Sequence, residues 1–94
     1  MTLQQKVLKY LNQRRIRGDA VYVVKVQVAN ERGCPDILCC VNGRFLAIEV
    51  KTGRDTVKPA QKVQLDRIDE ANGEVMIVND FKQFELDFEV MFYV

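Results

Sequence analysis

An α/β fold, a mixed sheet of about four strands flanked by helices, is predicted by three observations. The dipeptide Asn42-Gly43 stands between two apolar runs and reads as a two-residue hairpin turn. A β-branched run, Ala20 to Ala29 (AVYVVKVQVA), precedes that hairpin and reads as a further strand. A helical stripe ending at Gly73 follows it, and then Val75-Met76-Ile77-Val78, short and wholly apolar as a buried strand is. Ninety-four residues make one small domain spanning 1–94.

Each element has its local reason. Thr2 followed by Gln5 forms a capping box, and Leu3, Val7, Leu8 and Leu11 give the first helix one apolar stripe. Arg14, Arg15 and Arg17 complement its dipole, and Gly18 marks its exit. In the strand that follows, Lys25 shares a face with Val21 and Val23, so it either lines a polar site or sits near the strand's exposed end. Asn30 to Gly33 is a turn. After the hairpin, Thr52 to Lys58 is a polar loop, and Pro59 opens a second helix striped by Ala60, Val63, Ile68 and Ala71. The tail reads as one helical turn over Asp80 to Phe84 and a final strand over Asp87 to Val94. The aromatic residues crowded there fill the core or form a dimer seam.

The chemistry lies in the hairpin. A type I′ turn at Asn42-Gly43 pairs Val41 with Arg44, hence Ile37 with Ile48 and Asp36 with Glu49. Opposed residues share a face, their Cβ atoms about 4.5–5.5 Å apart, and Lys51 joins them by period-2 alternation. Facing carboxylates repel, and a divalent cation is the obvious compensation. Such a pair binds Mg²⁺ or Mn²⁺ through oxygen, with the Val50 carbonyl as a further candidate ligand, and the lysine either orients a water or stabilises developing negative charge.

Composition excludes other chemistries. There is no histidine, which removes Ser-His-Asp and Cys-His catalysis, His-ligated zinc and histidine-based nucleases. Cys34, Cys39 and Cys40 are odd in number and read as apolar filler in a reducing compartment. With no apolar run of membrane length and no signal-like start, a cytoplasmic protein that meets no membrane is expected. The net charge of +1 is unevenly spread: residues 1–62 carry 12 Lys and Arg against 5 Asp and Glu, residues 63–94 carry 2 against 8. The hairpin lies in the basic part, which suits an anionic substrate such as nucleic acid.

At these residues the chain resembles the PD-(D/E)xK nucleases, and more narrowly a stand-alone VRR-NUC (virus-type replication-repair nuclease) domain. Three blocks carry the likeness in order: Gly33-Cys34-Pro35-Asp36-Ile37-Leu38, Phe45 to Gly53 with Glu49-Val50-Lys51, and Pro59-Ala60-Gln61-Lys62-Val63-Gln64-Leu65. The resemblance implies a restriction-endonuclease-like sheet with the site at one sheet edge. It implies Asp36 and Glu49 as metal ligands, Lys51 as the catalytic lysine and Gln61 beside the site, contacting metal-bound water or phosphate. It also implies a polar role for Lys25 on the preceding strand, while the basic Arg54, Lys58 and Lys62, which follow the motif, are candidate phosphate contacts. The family usually completes its metal site with a first-helix glutamate. Here Gln4, or less well Gln5, stands in that place, and a neutral amide is a weaker hard-metal ligand. A homodimer acting on branched DNA, of viral or bacteriophage origin, follows by the same likeness. The expected function is a divalent-metal-dependent, structure-selective DNA endonuclease. The alternative is a non-catalytic nucleic-acid-binding or dimerisation module with a degenerate nuclease fold.

Overall fold

The computed structural model describes all residues, Met1–Val94. The chain runs α1 (Leu3–Ile16), β1 (Val21–Lys25), β2 (Ile37–Val41), β3 (Arg44–Val50), α2 (Pro59–Glu70), β4 (Glu74–Val78) and α3 (Phe81–Tyr93). The four strands form one sheet in the order β1-β2-β3-β4. β1, β2 and β3 are antiparallel neighbours, while β4 returns through α2 to pair parallel with β3, so the sheet is mixed as expected.

The hairpin register is the one the turn dictates. Asn42 and Gly43 both take positive φ, 52° and 78°, as a type I′ turn requires, and Ile37 faces Ile48 while Val41 faces Arg44. The Thr2–Gln5 capping box is present, each side chain bonding the other's backbone amide.

The pleat sorts β3 into two sets. Leu46 and Ile48 face a core shared with Ile37, Cys39, Val41, Met76 and Val78 and covered by Val7 and Leu11 of α1 and Phe84, Phe88 and Phe92 of α3. Phe45, Ala47 and Glu49 turn to the other face, on which α2 lies; Phe45 and Ile68 of α2 both crowd Gly73 there.

Three expectations are corrected. The tail is one continuous helix, with no final strand at Asp87 to Val94. Asp80 caps it by accepting from the Gln83 amide (2.9 Å), and Phe84, Phe88 and Phe92 fall on one face to fill the core. β1 stops at Lys25, short of Ala29, because beyond it only the Val26 amide still bonds β2's side, to the Asp36 carbonyl (2.8 Å). The site is not at a sheet edge: β2 and β3 are the two central strands, and Asp36 and Glu49 sit where β2 begins and β3 ends.

Candidate active site

The hairpin brings Asp36, Glu49 and Lys51 together on the α2 face. Glu49 is 1% exposed, so its carboxylate has almost no water to solvate it. Its Oε1 accepts from Gln61 Nε2 (3.1 Å) and lies 3.6 Å from Lys51 Nζ, while its buried Oε2 has no hydrogen-bond partner. Asp36 is fixed differently: its Oδ2 accepts from the Val50 backbone amide at 2.8 Å, which ties the start of β2 to the end of β3. Val50 thus meets the acidic pair through its N–H.

Glu49 is buried and faces a second negative group, and both conditions disfavour its charged form. Burial first, and the charge of Asp36 second, push the Glu49 carboxyl up to about 7, with Lys51 pulling the other way. The arrangement is deficient in positive charge, and the orphaned Oε2 is where that deficit is exposed.

Lys51 is 6% exposed. Its amide donates to the Val78 carbonyl (2.8 Å), continuing the β3–β4 ladder by one bond, and its Nζ donates to Gln61 Oε1 (2.8 Å). Asp55, from the loop after β3, lies 3.5 Å from the same Nζ. Gln61 is therefore the hub. It stands in the first turn of α2, where its Oε1 also accepts from the Lys58 backbone amide (2.8 Å), and its amide bridges Glu49 and Lys51.

The other candidates separate. Lys25 pairs with Ile37, so the pleat places it on the core-facing side of the sheet, exposed at the strand end and away from the carboxylates. Lys58 and Lys62 are exposed and paired with Asp55 (3.4 Å) and Asp66 (2.7 Å), and Arg54 is exposed on the same loop. Gln5 is committed to capping α1. Gln4 is half-buried at the N-terminus of α1, and α1 leads through a short turn into β1, so this terminus lies at the sheet end that holds the site. No group of three or more acidic, cysteine or histidine side chains is arranged to hold a metal ion, so the site offers two carboxylates and neutral oxygens.

Two neighbours escaped the sequence reading. Asp55 was one charge among several in a polar loop, and only its spacing of four from Lys51 hinted at contact. Cys34, read as filler, lies close enough for burial first, then Glu49 and Asp36, to push its thiol up and keep it protonated.

Comparison with known proteins bears on the fold and the family. The family model described as "VRR-NUC domain" matches residues 1–81. A solved structure titled "VRR_NUC domain" superposes with a TM-score of 0.70 at 26% identity, covering 100% of both chains. No match was found among curated proteins. The matched span contains every residue of the buried cluster, from the loop before β2 to the first turn of α2, and the chain belongs to the VRR-NUC family of nuclease-type domains.

Proposed function

We propose that this protein is a divalent-metal-dependent DNA endonuclease selective for branched structures and acting as a homodimer. The observation that carries the reading is the buried Glu49 carboxylate, its Oε2 unpartnered, opposite Asp36 and beside Lys51. A buried carboxylate facing a half-buried one, without enough positive charge, fits a hard cation. Mg²⁺ in particular takes one or two carboxylates and completes its shell with water and substrate phosphate, so the lack of a third acid is no obstacle. Asp36 and Glu49 would hold Mg²⁺ or Mn²⁺, with the Val50 carbonyl and Gln4 as neutral oxygen donors. When bound, the ion supplies charge neutralisation at the scissile phosphate and an acidified water.

The chain's own groups do the rest. Gln61 holds the Lys51 ammonium at 2.8 Å, and the longer ion pairs to Glu49 (3.6 Å) and Asp55 (3.5 Å) are the ones a phosphate oxygen or an attacking water would replace. Because Gln61 also holds Glu49 Oε1, it fixes the distance between the carboxylate that would bind the ion and the ammonium that would meet the phosphate. Arg54, Lys58 and Lys62 follow along the loop and α2 as phosphate contacts. Their carboxylate partners are exposed and weakly held, so DNA can displace them. A two-fold junction calls for two symmetric sites, which a homodimer provides.

A second reading, a non-catalytic binding module, draws on the neutral Gln4 and the engaged Gln5 where the family carries an acid. The deciding experiment is cleavage of a supercoiled plasmid with an inverted repeat, beside a four-way junction and a linear duplex. Wild type and Lys51→Ala are each run in Mg²⁺, Mn²⁺ and EDTA. Metal-dependent cutting at the extruded repeat, lost in the variant, is expected. DNA binding with no cutting in either metal would favour the module.

A further inference from the structure

We propose that Gly33 is a positioning residue of the site: its bare Cα lets the loop that carries Asp36 press onto the first turn of α2, and so sets where the Gln61 amide stands. This deepens the nuclease reading and rests on it.

The contact is between backbones. A Cβ at Gly33 would lie 2.3 Å from the Ala60 carbonyl oxygen, 2.4 Å from its carbon and 2.6 Å from the Gln61 nitrogen. These atoms belong to the helix itself and cannot swing aside as a side chain would. The loop also grips α2 further along: Gln64 Nε2 donates to Glu31 Oε2 (2.9 Å) and to the Arg32 carbonyl (3.2 Å), and Arg67 pairs with Glu31 (2.9 Å). Those bonds are exposed and individually weak, so they orient the loop while the Gly33 contact fixes its depth. Downstream, Asp36 ends the same loop, and Gln61 is the residue whose nitrogen Gly33 nearly touches. The loop and the helix thus place the two halves of the site against each other through one glycine.

Gly43 supplies a matched control. Its φ is 78° against 77° for Gly33, so alanine takes a left-handed φ at either position, yet nothing lies within 4 Å of a Cβ at Gly43. The difference between the two alanine variants isolates the push on α2.

The test uses the full chain as wild type, Gly33→Ala, Gly43→Ala and Gln64→Ala. It reads kcat and KM on the DNA that wild type cleaves, and the side-chain amide resonances of Gln61 by ¹H–¹⁵N spectroscopy. Gly33→Ala is expected to lower kcat by about 10- to 100-fold with KM for DNA unchanged, because a misplacement on the order of 1 Å suffices for such a loss. Its Gln61 resonances shift. Gly43→Ala loses less thermal stability, having the backbone strain without the clash, and keeps both kcat and the Gln61 resonances. Gln64→Ala, a surface change, moves kcat and Gln61 in the same direction as Gly33→Ala by a smaller factor. Equal kcat losses in the two glycine variants, or unmoved Gln61 resonances in Gly33→Ala, would overturn the proposal. Should Gly33→Ala fail to fold, unmoved Gln61 resonances in Gln64→Ala overturn it instead. If wild type cleaves no DNA, displaced Gln61 resonances still support the clamp while the nuclease reading falls.

Discussion

The two faces of one strand behave as two different materials. Toward α1 and α3, β3 presents Leu46 and Ile48 to a core of branched aliphatics and three phenylalanines, ring against ring at 5.0–5.7 Å. Toward α2 it presents Ala47 and Glu49, with Lys51 one step beyond, and there the buried groups are charged and one oxygen is unsatisfied. The residues are neighbours in sequence and opposites in physics. The apolar face has every reason to be stable, whereas the polar face holds a buried carboxylate whose cost Gln61 and Lys51 offset only in part, since its Oε2 stays unpartnered. The fold tolerates the second because the first is strong, and that division is what a small nuclease domain requires.

The largest expected effect breaks the stable face. Phe88→Ala removes a fully buried ring that packs on Phe84, Phe92, Tyr10 and Tyr93. It should cost about 3–5 kcal/mol of unfolding free energy, measured by denaturant titration. A loss below about 1 kcal/mol, the size of an ordinary surface change, would mean α3 is not the main cover of the core.

Next comes the polar face. Lys51→Ala should reduce cleavage by about 10²- to 10³-fold, the usual effect of deleting one donor aimed at developing charge. DNA binding should persist, since the exposed basic residues remain. A variant that cleaves normally would transfer the role to another group.

The smallest effect is in pH. The Glu49 carboxyl rises from its ordinary 4.5 to about 7, so between those values the folded protein keeps a proton that the unfolded chain has released. Stability of the metal-free protein should therefore fall as pH rises through that window and level off above it. Glu49→Gln should flatten the profile and be the more stable protein at neutral pH. A wild-type profile that is flat or rises over the same range would show that Glu49 is solvated.

Much of this was legible because it is local. Asn42-Gly43 accepts positive φ at both positions, and once that turn is set, period-2 alternation alone puts Asp36, Glu49 and Lys51 on one face. Thr2 and Gln5 likewise announce their helix. The failures are tertiary. Phe81, Phe84, Phe88 and Phe92 carry helical spacing and Asp80 a cap, but aromatic and β-branched residues after Asp87 also suit a strand, and only the need to cover the sheet decides for helix. The end of β1 is tertiary for the same reason: Val26 to Ala29 has strand composition, but the chain leaves the sheet to reach α2. Lys25 does lie on the face of Val21 and Val23, and of the two readings open to it the exposed strand end is the one the fold realises. Gln61 carried no signal of its own; its role depends on where α2 docks, which no local pattern encodes.

The central claim is that the polar face keeps its charge for a cation. The direct measurement is thermal unfolding at pH 7.5 with and without Mg²⁺, for wild type and Glu49→Gln. A cation that binds only the folded protein raises Tm with concentration. The account predicts such a rise in wild type and none in Glu49→Gln. Equal shifts in the two proteins, or no shift in either, would contradict it.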